Sequence, residues 1–345
     1  MKPPSPAAVL HATLARHRRS DFDVTNTVQV SSVAAVTRAV EALFTEQWPG
    51  QPFGPIADAF ATFDQLFAGQ LPGYNGVDTV YHDRQHTLDV VLAMARLLVG
   101  YERGADPESE LGYDRAAMSL VTAIFHDAGY IRETGDTVAN GAEYTASHIS
   151  RSARFLARFM PTIGMDEWLP VATRIVHFTG YEIPFAQILT PDRRDRKVGH
   201  LLGTADLMAQ MADRCYLEKC RDRLYPEFVL AGVATGRDRA GELLINYGSG
   251  LDLLRQTPNF VMSAFRDRLD GEFAGAYRYV EQLFDGRNPY MEAIEQHLAY
   301  LQQVLKSGNW TLLRREPPVF TYDPNPLPSV RSLMVGRLRA EWTRD

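Results

Sequence analysis

The chain has 345 residues and a formal net charge of -6, long enough to bury a sizeable core in one large domain or two small ones. With 45% hydrophobic and 23% charged residues it has the composition of a globular protein. The absence of a basic excess argues against bulk nucleic-acid binding, where lysines and arginines must neutralise phosphates. The N-terminus does not read as a signal peptide, and no uncharged run approaches a membrane span in length. The two cysteines, Cys215 and Cys220, stand five apart on one expected helix and read as reduced thiols of a cytoplasmic protein.

Helical periodicity runs through nearly the whole chain, so the expected class is all-α. After a weakly ordered start with a basic cluster at Arg16 to Arg19, Ser31 and Ser32 cap a helix carrying Val33, Val36, Val40 and Leu43 on one face. A Phe-rich helix follows from Phe53 to Phe67, then a loop through Pro72-Gly73-Tyr74-Asn75-Gly76. Long helices are expected from Tyr81 to Val99 and from Asp114 to Phe125, the second apolar on all sides near its end and therefore buried. Glu143 to Met160 is amphipathic, Trp168 to His177 is short, and Val198 to Leu217 is mostly buried.

Gly232 to Gly250 reads as a surface loop. Helices return at Pro258 to Phe284 and Pro289 to Leu305, then an extended Pro-rich tail ends in a helix from Val330 to Trp342. Residues 76–225 form the expected catalytic core. Residues 1–75 and 226–345 are expected to pack on it as helical extensions rather than as independent domains.

Six residues carry the chemistry: His86, His126, Asp127, His148, His177 and Asp206. His126-Asp127 follows an apolar run and precedes Gly129, which places a charged pair at the buried end of a helix. That is costly unless the pair is matched by charge or bound to metal. Asp206 repeats the problem in an apolar run with only His200 as a nearby cation. Asp127, His148, His177 and Asp206 follow one another by 21, 29 and 29 residues (148 - 127, 177 - 148, 206 - 177), so each falls on its own successive helix. A helical bundle can converge such residues on one centre. His82 stands four before His86, which on a helix would put both on one face. Imidazoles mixed with carboxylates suit one or two divalent ions, with Fe, Mn or Zn fitting better than Mg. His11, His17, His200 and His297 lack this setting and read as surface or structural.

With Tyr81-His82-x-x-x-His86, His126-Asp127 and Asp206 in this order, the chain resembles the HD-domain superfamily of metal-dependent phosphohydrolases over roughly residues 78–215. The first motif is similar to that of cyclic nucleotide phosphodiesterases. There the resemblance implies that His82 protonates the leaving oxygen, His86 binds metal and Glu143 supports the site from behind. His148 and His177 match the extra histidines of six-ligand members, which include cyclic dinucleotide phosphodiesterases and diiron oxygenases. The chain departs from the pattern at Tyr130, where a Lys or His often stands, and in lacking the family's purine-fixing glutamine.

The resemblance implies a helical bundle that cleaves a small-molecule phosphoester of the nucleotide or cyclic nucleotide type. One metal would be held by His86, His126, Asp127 and Asp206; a second would be bridged by Asp127 and held by His148 and His177. Arg84, Arg193, Arg194 and Lys197 are candidate phosphate contacts, with Tyr130 and Glu143 beside them. Two alternatives stay open: a diiron oxygenase using the same six ligands on a small organic substrate, and a non-enzymatic sensor or scaffold. The Pro-rich tail with its final helix is a candidate homodimer contact.

Overall fold

A computed structural model describes residues 19–237 and 242–343; His11, His17 and most of the basic cluster before Arg19 lie outside them. The described residues form an all-α fold with one two-stranded antiparallel hairpin. In chain order the helices are α1 (Val33–Gln47), α2 (Gly54–Phe67), α3 (Arg84–Gly104), α4 (Tyr113–Ile124), α5 (His148–Phe159), α6 (Leu169–Ile175) and α7 (Arg193–Ala212). Then come α8 (Tyr216–Lys219), a π-helical turn (Cys220–Leu224) and α9 (Tyr225–Leu230). Strands β1 (Thr235–Arg237) and β2 (Leu243–Ile245) lead to α10 (Gly250–Ser263), which runs on into a π-helical segment (Ala264–Glu272). A 3-10 segment (Ala276–Leu283), α11 (Pro289–Ser307) and α12 (Leu327–Trp342) complete the chain.

The axis of the fold is α3. Every residue from Gln85 to Tyr101 is buried, because the helix is wrapped by α1, α4, α7 and the 276–283 segment. A helix surrounded on all sides must match each polar group it carries. Arg96 donates to Asp23 at 2.6 Å and to the Tyr290 hydroxyl at 2.8 Å. Asp23 has no exposed surface and also accepts from the backbone N–H groups of Thr27 and Val28, each at 2.9 Å. Burial alone would push its carboxyl up, but Arg96 and these donors prevail and bring it down to about 2.

A depressed folded pKa gives stability that is complete above the unfolded value, about 3.9, and is lost as pH falls through about 2. Asp23→Ala should therefore destabilise the fold by about 3–5 kcal/mol at neutral pH, since it strands Arg96 in the core. Urea titrations between pH 6 and pH 2 check this: the wild type should lose its advantage over the variant at the acid end.

One apolar core runs without a break from Val30 to Leu313, so the flanks pack on the centre and share its core. The extended stretch before α12 laces onto the start of α3: the Phe320 N–H donates to Asp83 Oδ2 at 3.1 Å and the Tyr322 N–H to the Val77 carbonyl at 3.0 Å. The final helix packs on α9 of its own chain, with Val330 among Val80, Ala142 and Leu230. Among the described residues no helix is long and apolar enough to cross a membrane.

Several boundaries differ from the periodicity. Asp83 accepts the His86 N–H at 3.1 Å and starts α3 at Arg84, so His82 lies in the turn ahead of the helix rather than on its face. The expected 143–160 helix is split: Asn140 and Glu143 form a capping box on a 3-10 turn (Gly141–Tyr144), and α5 begins only at His148. Helix α7 runs from Arg193 to Ala212, five residues earlier than expected, because Asp192 caps its start. The chain then breaks, so Cys215 precedes α8 and Cys220 begins the π-helical turn; both are buried free thiols. Ser249 caps α10, accepting from the Asp252 N–H at 3.1 Å, and Pro258 falls inside that helix instead of opening it.

Candidate metal centre

Helix α3 delivers His86 from its first turn, held by the Asp83 cap. Helix α4 ends at Ile124, and the chain turns through Phe125-His126-Asp127 into a 3-10 turn (Ala128–Tyr130). Helix α5 is drawn close against this turn. Ser152 donates to the His126 carbonyl at 2.6 Å and accepts from the Gly129 N–H at 2.9 Å. Gly129 permits the approach, since a Cβ there would collide with the backbone carbonyl oxygen of His148. Glu182 accepts from the N–H groups of Ile149 and Ser150 at 2.7 and 3.1 Å, pinning the start of α5 and with it His148. Asp206 comes from the middle of α7.

His86, His126 and Asp127 form a buried cluster able to hold a metal ion, with one donor atom of each within 4.8 Å of the others. Asp127 Oδ2 lies 3.4 Å from His86 Nε2 and 3.3 Å from His126 Nε2. Asp206 Oδ1 lies 3.5 Å from His86 Nε2 and 3.8 Å from His126 Nε2. These separations are long for hydrogen bonds, which prefer 2.7–3.2 Å. They match the edge of a tetrahedron of N and O donors set around a divalent ion, about 3.3–3.6 Å. His126 Nε2 and Asp127 Oδ2 are buried without any hydrogen-bond partner, a costly state that a bound cation would relieve.

The ring of His126 is fixed from behind by its Nδ1–H donating to the Ala123 carbonyl at 2.8 Å, which leaves Nε2 as the donor towards the cluster. His148 is held in the same way, Nδ1 to the Thr145 carbonyl at 2.7 Å, and its Nε2 stands 3.9 Å from Asp127 Oδ1. The two oxygens of Asp127 thus face different histidines.

Charge in the centre is lopsided. Among the described residues no lysine or arginine forms an ion pair with Asp127 or Asp206. Burial pushes the His86 imidazole down, but Asp127 and Asp206 outweigh it and raise it to about 10. His126 is raised against burial by Asp127 in the same way. Burial works against the Asp127 carboxylate too, and His126 and His86 hold it well below the usual range. The cluster therefore gathers positive charge from its own imidazoles, the role a divalent ion would take over. His148 is lowered, mainly by burial, and so favours the neutral form that ligates.

His82 reaches the same place from the turn before α3. Its Nδ1 lies 2.6 Å from Glu227 Oε2, and the other oxygen of Glu227 accepts the Tyr81 N–H at 2.6 Å. Glu227 is buried on α9. The Tyr130 ring is sandwiched between His82 and His148, with centroids 4.5 and 4.2 Å away and both pairs within 19° of parallel. The His82 and His86 rings are 5.6 Å apart even though they do not share a helix face.

The centre forms the floor of a cavity of about 530 Å³. His82, Asp127, Tyr130, His148 and Asp206 line it on the metal side. Phe228, Val233, Tyr247, Leu253 and Phe260 supply an apolar wall, from residues the sequence placed outside the catalytic core. No lysine or arginine is among the lining residues.

Other expected site residues fall elsewhere. His177 is half-buried on the turn after α6, with a buried Nδ1 that has no partner and with no ion pair or ring contact to the other five; burial lowers its pKa. Arg84 pairs with Asp64 at 3.0 Å. Arg193 is exposed, Arg194 pairs with Asp192 at 3.0 Å, and Lys197 reaches the Tyr279 hydroxyl at 3.4 Å. Glu143 is engaged in its capping box, accepting from Ala139 and Asn140. None of these six lines the cavity.

Glu227 and Glu182 were missed as site residues. A lone Glu in Tyr225-Pro226-Glu227-Phe228 carries no local signal, and its role depends on a fold that brings it beside His82. Compared with protein-family models, curated proteins and solved structures, the chain matches none, so the character of this centre rests on its own geometry.

Proposed function

We propose that the protein is a metal-dependent hydrolase of phosphodiesters, of the kind its HD-type motifs resemble. The observation that carries this reading is the His82–Glu227 pair beside the donor cluster. Hydrolysis of an alkyl phosphoester needs a proton for the departing oxygen, and an imidazole paired with a buried carboxylate is placed to supply it.

In this reading His86, His126, Asp127 and Asp206 would hold one ion, and Asp127 and His148, joined in the sequence expectation by His177, would supply donors to a second. When bound, such ions lower the pKa of water and neutralise charge on phosphoryl oxygens. In its doubly protonated form His82 would donate Nδ1–H to Glu227, whose carboxylate stabilises the imidazolium and orients the ring. The Nε2 proton would then pass to the leaving oxygen, leaving a neutral imidazole that keeps its proton on Nδ1. Tyr130 stacks between the His82 and His148 rings, and the aromatic wall receives the organic part of the substrate. Fe, Mn or Zn suits the imidazole-rich set better than Mg.

The largely apolar lining of the cavity, which holds no lysine or arginine, favours the second reading, a diiron oxygenase acting on a small organic molecule. One assay separates them. Protein loaded with Mn or Fe should hydrolyse members of a phosphodiester panel that includes cyclic nucleotides, without consuming O2. A stable mixed-valent diiron signal with O2 uptake and no hydrolysis would replace the hydrolase by the oxygenase.

A further inference from the structure

The cavity poses a problem for an anionic substrate, because its lining holds no lysine or arginine. Behind the wall there is one. Arg268 is 6% exposed and sits in the π-helical segment Ala264–Glu272. Nη2 donates to the Gly180 carbonyl at 2.5 Å, and Nη1 is buried without a partner. No carboxylate lies within ion-pairing distance among the described residues. Its cover is aromatic: the guanidinium carbon is 3.7 Å from the centroid of Tyr181 and 4.7 Å from that of Phe185. Gly180 and Tyr181 themselves line the cavity, so the guanidinium lies directly against the wall.

A buried guanidinium with a free Nη is expensive, and most proteins match it with a carboxylate. Arg96 shows the matched case in this same fold, with Asp23 and Tyr290 on its two Nη atoms. Arg268 has half of that arrangement. Its long-range field includes Asp206, so it stands within electrostatic reach of the metal centre. Burial lowers its pKa, as expected of a cation lacking its counterion. π-Helical insertions cluster at functional sites, because they push a side chain out of helical register. The cover is also movable: Tyr181 is 73% exposed, so its ring can turn aside without disturbing the core.

We propose that Arg268 is a substrate-binding residue, whose free Nη1 pairs with a phosphoryl oxygen of the substrate once Tyr181 swings off the guanidinium. The inference rests on the phosphodiesterase reading for the identity of the anion. Tyr181 and Phe185 would then hold the cation in the empty protein, and the bidentate fork would be completed by the ligand.

The test uses full-length, Mn-loaded protein and inorganic phosphate as the probe, followed by titration calorimetry. Arg268→Gln should weaken phosphate binding at least tenfold with Mn content unchanged, and should raise KM for bis(p-nitrophenyl) phosphate while kcat stays within a few-fold. Phosphate affinity equal to wild type in a folded, Mn-loaded Arg268→Gln protein would overturn the proposal. If that variant does not fold, the 15Nε resonance of Arg268 in the wild type, assigned by its loss in Arg268→Lys, decides instead. A shift on adding phosphate supports the contact, and an unmoved resonance rejects it. Because phosphate binding is read without turnover, an enzyme that cleaves no phosphodiester would defeat the proposed function while leaving this test its own answer.

Discussion

Asp127→Ala should remove the metal and the turnover together. Among the described residues Asp127 is the only one whose two oxygens face two histidine sets, Oδ2 towards His86 and His126 and Oδ1 towards His148. Its loss takes a donor from each side at once. It also leaves the His86 and His126 imidazoles without the carboxylate that most favours their charged forms. Turnover should fall by more than about 10³-fold, beyond the loss of a single hydrogen-bond donor to a developing charge. Elemental analysis of purified variant should find the bound metal gone. Asp127→Asn is the sharper form, since it keeps the shape and removes only the charge. A variant that retains full metal content but loses activity would mean that Asp127 does not ligate.

His82→Ala should separate acid catalysis from metal binding. The His82 ring points its Nδ1 at Glu227 and not at the donor cluster, so metal content should stay near that of wild type. Turnover of a substrate with an alkoxide leaving group should drop by about 10²–10⁴-fold, the usual worth of a positioned general acid. With p-nitrophenolate as leaving group the deficit should nearly vanish, because that group departs without a proton. Glu227→Gln should show the same dependence on leaving group, more weakly, since the amide still accepts from the ring but no longer stabilises the protonated imidazole. A His82→Ala protein that loses metal would make His82 a ligand and end its assignment as acid.

The fold class was legible because helical periodicity dominates the chain, and α1, α2, α4 and α11 fall close to where their apolar stripes put them. Boundaries were less legible where a cap decides them. Asp83, Asp192 and Ser249 start helices at places that apolar spacing alone does not mark. In the site, His86, His126, Asp127 and Asp206 stand together because each sits at a buried place where an unmatched charge is costly, and that cost can be read from the flanking apolar residues. His148 joins them through Gly129 and Ser152, contacts that no local pattern encodes. His177 shared its spacing argument, yet the turn after α6 leaves it beside Glu182. The candidate phosphate arginines failed to reach the cavity for a simpler reason: clusters of Arg and Lys at a helix start belong to solvent, and Arg194 and Arg84 found carboxylates there. Glu227, Phe228 and Tyr247 were invisible as site residues because the C-terminal third folds back over the centre, and such long-range closure leaves no mark on a short stretch of chain.

The central claim is that these imidazoles and carboxylates hold metal in two adjoining positions. Anomalous diffraction from crystals of the Mn-loaded protein tests it most directly. The account predicts one peak enclosed by His86, His126, Asp127 Oδ2 and Asp206, and a second on the side of Asp127 Oδ1 and His148. A map with no peak among these donors, from protein that is folded and active, would contradict it.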